Sequence, residues 1–359
     1  MTVRRVLLGL LLLLLLGVVS LTLPVVLRQF RINAAIADLA AAGQPTTFAD
    51  LSSVYAVNAH ANPNDATTVL NANADVVAAA QRVMKPLWSD EDFFDRSKPL
   101  TAEQRGILLT LTSDHSSAFA AIDKASHCDR MSYTAPLPGT AASILDSLQS
   151  ETSPRAVARL LHAQTRYLIA SEQADAAYES VMTQQRLLHL QKDTPLVVGF
   201  MMHAAIVQAH LENVRDLIDR AQLSPEQHER LDQSLARLET MDLFQTALLT
   251  ERAFGIASHK KLGALGLLQV DLLNYLDWMA EEIQIGTLSQ FEEPARRVVP
   301  KGLTVSVASS IAPARRTMNE ARKQIREVRL LNASQSTADG IELSDDSKTD
   351  PFTGERLES

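Results

Sequence analysis

Residues Val6 to Leu27 (VLLGLLLLLLLGVVSLTLPVVL) carry no charge, whereas Arg4 and Arg5 precede them and Arg28 and Arg31 follow. At about 1.5 Å per residue, a helix over this stretch is roughly 33 Å long, enough to cross a hydrocarbon core of about 30 Å. A run without a polar face is a poor candidate for an amphipathic core helix. The stretch is therefore read as a single transmembrane helix, with the rest of the chain a body held on a membrane by it. A cleaved leader is the competing reading, since Val18-Val19-Ser20 is a weak cleavage site. The run exceeds the roughly 7–15 residues of a leader core and no Ala-x-Ala follows it. Helix-forming sequence also continues to Gly43 without a turn residue. The expectation is a retained anchor.

Orientation follows from flanking charge. The terminal amine, Arg4 and Arg5 face Arg28 and Arg31 across the stretch, and a short tail before a long domain stays in the cytoplasm. The expected placement is single-pass in a bacterial inner membrane, with the body on the outer, periplasmic side.

Composition sets the class of that body. Only 13 Gly and 14 Pro occur in 359 residues, and aromatic content is 5 %. The core must then be built from Leu, Ala, Ile, Val and Met, the profile of helix packed on helix. Cys128 is the one cysteine, so no intrachain disulfide forms. A net charge of −8 argues against a nucleic-acid partner.

Helix punctuation is clear in several places. Thr47 with Asp50, and Asn64 or Asp65, are caps, the latter opening a helix over 66–84 that Pro86 stops. Thr101-Ala-Glu-Gln104 is a capping box before one long helix to His127. Ser153-Pro154, Thr194-Pro195 and Ser224-Pro225 each set a capping hydroxyl before a proline at the first helical position. Helices are expected over 154–170, 173–191, 195–221, 225–238 and 241–256, and another from Leu267 to Ile285. The pair 154–191 is like one tetratricopeptide hairpin, with Tyr167 late in its first helix and Ala174, Ala177 and Tyr178 in its second. No clean 34-residue repeat accompanies it. The fold class read here is all-α: a transmembrane helix, then an irregular helical bundle or a short TPR-like α-solenoid.

Boundaries follow charge. Residues 1–5 form a tail, 6–27 the span, 28–293 the helical body and 294–339 a basic helical segment. Residues 340–359 form an acidic flexible tail. Between Arg296 and Arg329 nine basic residues stand against Glu320 and Glu327. The last twenty residues hold six acids against Lys348 and Arg356 and too little apolar surface to order themselves.

Three short stretches carry a resemblance: Gly43-Gln-Pro45-Thr46-Thr47-Phe48-Ala-Asp-Leu51, Glu251-Arg-Ala-Phe254 and Asp350-Pro-Phe-Thr-Gly354. With the anchor before them, they resemble a family of single-anchor, α-helical envelope proteins common in planctomycetes and related bacteria. That family has an Asp-Pro-Phe-x-Gly tail. The resemblance implies architecture and location and brings no catalytic residues. The basic helix before Asp350 departs from the family pattern. The same ending is similar to that of secretion-system pseudopilins, but Arg5-Val6-Leu7-Leu8-Gly9 lacks their Gly-Phe-Thr-Leu-x-Glu processing site.

Sites of chemistry are sparse. His203 and His210, seven apart, share a helix face and could meet Glu251 or His189 around a metal. No His-Glu-x-x-His spacing supports this, and hydrogen-bonded histidines at a packed interface are the favoured explanation, so no metal site is assigned. Glu281-Glu282 and Glu292-Glu293 are sequence neighbours and point apart on a helix. Asp114-His115-Ser116 cannot converge on a substrate from one helix. No nucleophile elbow or phosphate loop is present, and no cofactor is implied. On a helix Arg315, Arg322, Arg326 and Arg329 stack on one side, a candidate surface for a partner or an anionic membrane. A solvated helix pairing with the body or with the acidic tail is the favoured explanation. The function expected is a membrane-anchored helical scaffold or partner-binding protein of the cell envelope, whose partner is another protein. The alternative is an envelope enzyme, possibly metal-dependent.

Overall fold

The computed structural model describes residues 2–47, 50, 62–95, 97–132, 150–191, 196–241, 243–262, 269–286 and 304–336. Within α1 the side chains of residues 2–12 lie outside that description. The described elements are α-helices and one 3-10 turn, and no strand occurs among the described residues. The all-α class is thus what the chain adopts.

The first helix, α1 (Thr2–Ala41), is 40 residues long and runs unbroken out of the apolar stretch. It ends where the sequence places its first turn residue. Gly43 has φ +70°, and the amides of Gly43 and Gln44 bond back to the carbonyls of Ala40 and Leu39 at 3.0 Å each. This is a closing geometry that needs a left-handed residue, hence glycine. Among the described residues no helix is long and apolar enough to cross a membrane. The stretch Val6–Leu27 is described only in part.

Next come α2 (Ala66–Ala72), α3 (Ala74–Met84), the 3-10 turn Lys85–Ser89 and α4 (Glu91–Phe94). Then follow α5 (Ala102–Asp114) and α6 (Ser116–Ser126). Two single helices of the sequence reading are therefore each split. At Asn73 the backbone leaves the helix (φ −117°, ψ 23°), and the Asn73 amide donates to the Val69 carbonyl at 2.8 Å. At His115 it leaves again (φ −116°, ψ 27°). The hydroxyls of Thr110 and Thr112 bond to the carbonyls of Gly106 and Leu108 just before it. Such side-chain bonds compete with the helical ladder and bend it, a local effect that apolar periodicity does not reveal.

The remaining helices are α7 (Pro154–Ala170), α8 (Ala174–Leu190), α9 (Leu196–Arg220), α10 (Pro225–Glu239), α11 (Leu243–Leu262), α12 (Gln269–Gly286) and α13 (Thr304–Gln335). Caps act as read. Ser153 and Ser224 accept from the third residue of their helices, and Thr101 with Gln104 and Ser224 with Gln227 close full capping boxes. Thr194-Pro195 lies outside the described residues, as do residues 294–303 and the acidic tail.

Helix α9 is the hub, packing on α7, α8, α11 and α13. Three apolar clusters fill the body. The first joins α2, α3, α5, α6 and α7 through residues such as Leu108, Leu111, Ile122 and Leu160. The second joins the end of α1 to α9, α11, α12 and α13 through Ile32, Phe200, Phe244 and Met279. The third lies between α7, α8, α9, α10 and α13 around Val181, Leu211, Leu231 and Val328. Helices α11 and α12 approach closely because Gly255 has no side chain: a Cβ there would lie 2.5 Å from the Tyr275 ring.

Candidate functional site

His203, His210, Arg326 and Arg329 meet along the seam of α8, α9, α10 and α13, the histidines as hydrogen-bonded groups at a packed interface. His203 is buried on α9, and its Nδ1 donates to Gln191 Oε1 at 3.1 Å. His210, two turns along, has no exposed surface. Its Nε2 donates to Gln185 Oε1, and the Gln185 amide donates at 3.1 Å to the Ser234 carbonyl. This relay ties α9 through α8 to α10. Beside it Asn213 donates to Gln184 Oε1 at 2.9 Å. Burial, with the charge of nearby His189 second, depresses the His203 and His210 imidazoles from the ordinary 6.5 to about 3. Burial thus favours the neutral form of both rings, and each donates its one N–H to an amide oxygen.

Glu251 is elsewhere, on α11, where its carboxylate accepts from the Val197 amide at 3.2 Å. Burial raises its pKa, and the Val197 amide partly opposes that. The structure thus pairs His203, His210 and Glu251 with an amide side chain or the backbone, not with one another. Among the described residues no group of three or more His, Cys, Asp or Glu side chains is placed to hold a metal.

The arginines are turned inward. Arg329, buried, grips Asp232 with Nε at 2.8 Å and Nη2 at 3.1 Å, and reaches Glu239 with Nη1 at 3.0 Å. Arg326 pairs with the same Glu239. Arg315 pairs with Glu282 of α12 and lies 5.9 Å over the Phe244 ring. Arg322 lines a cleft of about 40 Å³ with His203, Glu239 and Met318. The arginines thus pair with the body, one of the two readings of the sequence, but as buried or half-buried braces and not as a solvated face. Asp232 and Glu239 already occupy the facing side of α10, and a planar guanidinium between two carboxylates makes more charge-assisted bonds there than in water. Below them His228 Nδ1 donates to Asn332 Oδ1 at 2.6 Å and the Asn332 amide returns a bond to the His228 carbonyl at 2.9 Å.

Sequence reasoning missed the amide partners Gln184, Gln185 and Gln191 and the acids Asp232 and Glu239. A signal for the second group existed. Arg315, Arg322 and Arg329 recur every seven residues, in step with Ile311, Met318 and Ile325, which marks one flank of a packed seam.

The cleft is far smaller than the roughly 300–1,000 Å³ of small-molecule sites and holds at most a few waters. What the arrangement does chemically is hold a helix by charge. Comparison with family models, curated proteins and solved structures finds no match to this chain.

Proposed function

We propose that the chain is a single-pass membrane protein whose helical body serves as a scaffold or protein-binding module on the outer face of a bacterial inner membrane. One observation carries the membrane part. Along α1 the side chains of Leu13, Leu14, Leu16, Val18, Val19, Leu23, Val26, Leu27 and Phe30 are all exposed, Phe30 by 75 %. Ile32, Ala35, Ile36 and Leu39 of the same helix then pack into the body. Exposed apolar side chains in such density need a cover. The only polar side chains of the stretch are self-satisfied: Ser20 and Thr22 donate to the carbonyls of Gly17 and Val18 at 2.9 and 2.8 Å. That is the condition a helix must meet in hydrocarbon.

The scaffold part rests on how the body spends its polar groups. His203, His210, Arg326 and Arg329 brace helices against one another, and of these His203 alone lines the small cleft. The short motifs resembling planctomycete envelope proteins fit the same architecture.

The test is fractionation of the full chain. The protein should stay in the pellet through high salt and carbonate and leave it only with detergent, and its mature terminus should precede Val6. Protease added outside spheroplasts should digest the body. Recovery in the carbonate supernatant, or a mature terminus near Leu21, would overturn the reading.

A further inference from the structure

We propose that the α8–α9 interface is an acid-sensitive joint: protonation of the histidines packed within it separates α9 from α8 while the amino-side cluster around α2–α6 stays folded.

The placement of the rings carries this. His189 of α8 lies near both His203 and His210 of α9, close enough for its charge to act on each. The neutral rings of His203 and His210 each spend one N–H on a glutamine oxygen of α8, so an added proton must go to the other nitrogen. For His210 that atom is Nδ1, buried with no partner among the described residues, and the Nε2 of His189 is in the same position. A glutamine oxygen accepts a hydrogen bond but carries no charge to offset a cation. Three imidazolium ions in one interface would repel one another as well as lose solvation.

The charged groups facing the joint do not relieve it. From α8, Gln184, Gln185 and Gln191 are neutral. From α10, Arg237 acts on His189 with the wrong sign. Glu239 of α10 and Arg322 of α13 line the cleft beside His203, one of each sign, and Glu239 is bound by Arg326 and Arg329. From α7, His162 is buried between Phe93 and Phe94 and lies near cationic Arg166, with Asn213 of α9 giving slight relief. Burial holds His162 at about 4. On α9 itself Asp216 is engaged by Arg220 at 3.4 Å.

The direction with pH is set by linkage. An unfolded histidine takes up its proton near 6.5, while His203 and His210 resist until about 3. Between those values the open chain binds more protons than the closed one. The closed form is therefore fully favoured above about 6.5 and loses ground steadily as pH falls. Each histidine steepens the loss, so the joint opens well before any single ring reaches its folded value.

The experiment is amide hydrogen exchange on the full chain in detergent, at about pH 7 and about pH 5, corrected for intrinsic rates. Protection in α8 and α9 should fall by more than tenfold relative to α5 and α6. The substitution pair His203→Gln and His210→Gln keeps a donor toward each glutamine and removes the charge. It should move the opening midpoint down by at least about half a pH unit. Should the pair fail to fold, His→Gln at 203 alone is read the same way. Loss of protection that is uniform, or that begins in α5 and α6, overturns the proposal, as does an unshifted midpoint. None of these outcomes depends on whether α1 lies in a bilayer.

Discussion

The body contains two cores built on different plans. Around α2–α7 the interior is mostly apolar, His162 against Phe93 and Phe94 being its buried histidine, and no buried ion pair crosses it among the described residues. Asp65 caps α2 and holds Ser132, Gln104 donates to Asp90 at 2.7 Å, and Arg166 closes the α4 loop by donating to the carbonyls of Asp95 and Lys98 at 2.9 and 2.8 Å. Around α8–α10 and α13 the apolar cluster is interleaved with histidines, glutamines and buried ion pairs. The first plan also joins distant elements, Arg166 reaching Asp95 across 71 residues, but does so from the margin of an apolar interior. The second holds α13 to α10 across 97 residues, the separation of Arg329 and Asp232. A charge pair specifies which face of a distant helix docks, where an apolar stripe alone would tolerate a slip.

The largest effect should come from breaking the charged brace. Arg329→Ala leaves Asp232 buried without its cation and should cost about 3–5 kcal/mol in denaturant unfolding. Replacing both residues by leucine should return much of that, since a well-packed apolar pair is often neutral or better. If the double variant is as damaged as the single, the brace acts by more than charge. In the apolar core Leu111→Ala should cost about 2–5 kcal/mol, from lost transfer energy plus the cavity left behind. That cost should be the same at pH 7 and pH 5. A pH-dependent cost would blur the line drawn between the two cores. The smallest effects are at the caps. Thr101→Ala in the first region and Ser224→Ala in the second should each cost about 1 kcal/mol, because a cap is local and indifferent to the core behind it. A cost at Ser224 several times larger would show that α10 is held at its entrance as much as by its charges.

Local features were legible before the fold was seen. Ser153-Pro154, Ser224-Pro225 and Thr101-x-x-Gln104 fix helix starts because the hydroxyl and the amide it caps lie within three residues. Gly43 ends α1 for an equally local reason. The breaks at Asn73 and His115 were missed because a side chain bonding back to its own helix is one weak interaction among many helical ones. Pairing of Arg315, Arg326 and Arg329 with the body was readable, but which acids they meet was not, because Glu282, Asp232 and Glu239 are distant in sequence. The seven-residue recurrence of arginines beside Ile311, Met318 and Ile325 held the information, but only as a pattern for a seam whose other side was unknown. Gln185 and Gln191 had no signal at all, since a glutamine serving a histidine looks like any surface glutamine.

The unbroken course of α1 has a mechanical consequence. Ile32, where the helix docks on the body, is five residues past Leu27, or roughly 8 Å along the axis. A domain on a loose tether sweeps a hemisphere; one fixed to a stiff shaft does not. With α1 seated in a bilayer, tilting or rotating the shaft would swing the whole body with it, and the body would patrol only a thin layer above the headgroups. Pro24, which lies inside the helix and lacks the amide hydrogen for the Ser20 carbonyl, is where such a shaft yields first. Its pivot would then lie within the lipid, so lipid thickness would set the angle the body takes to the membrane.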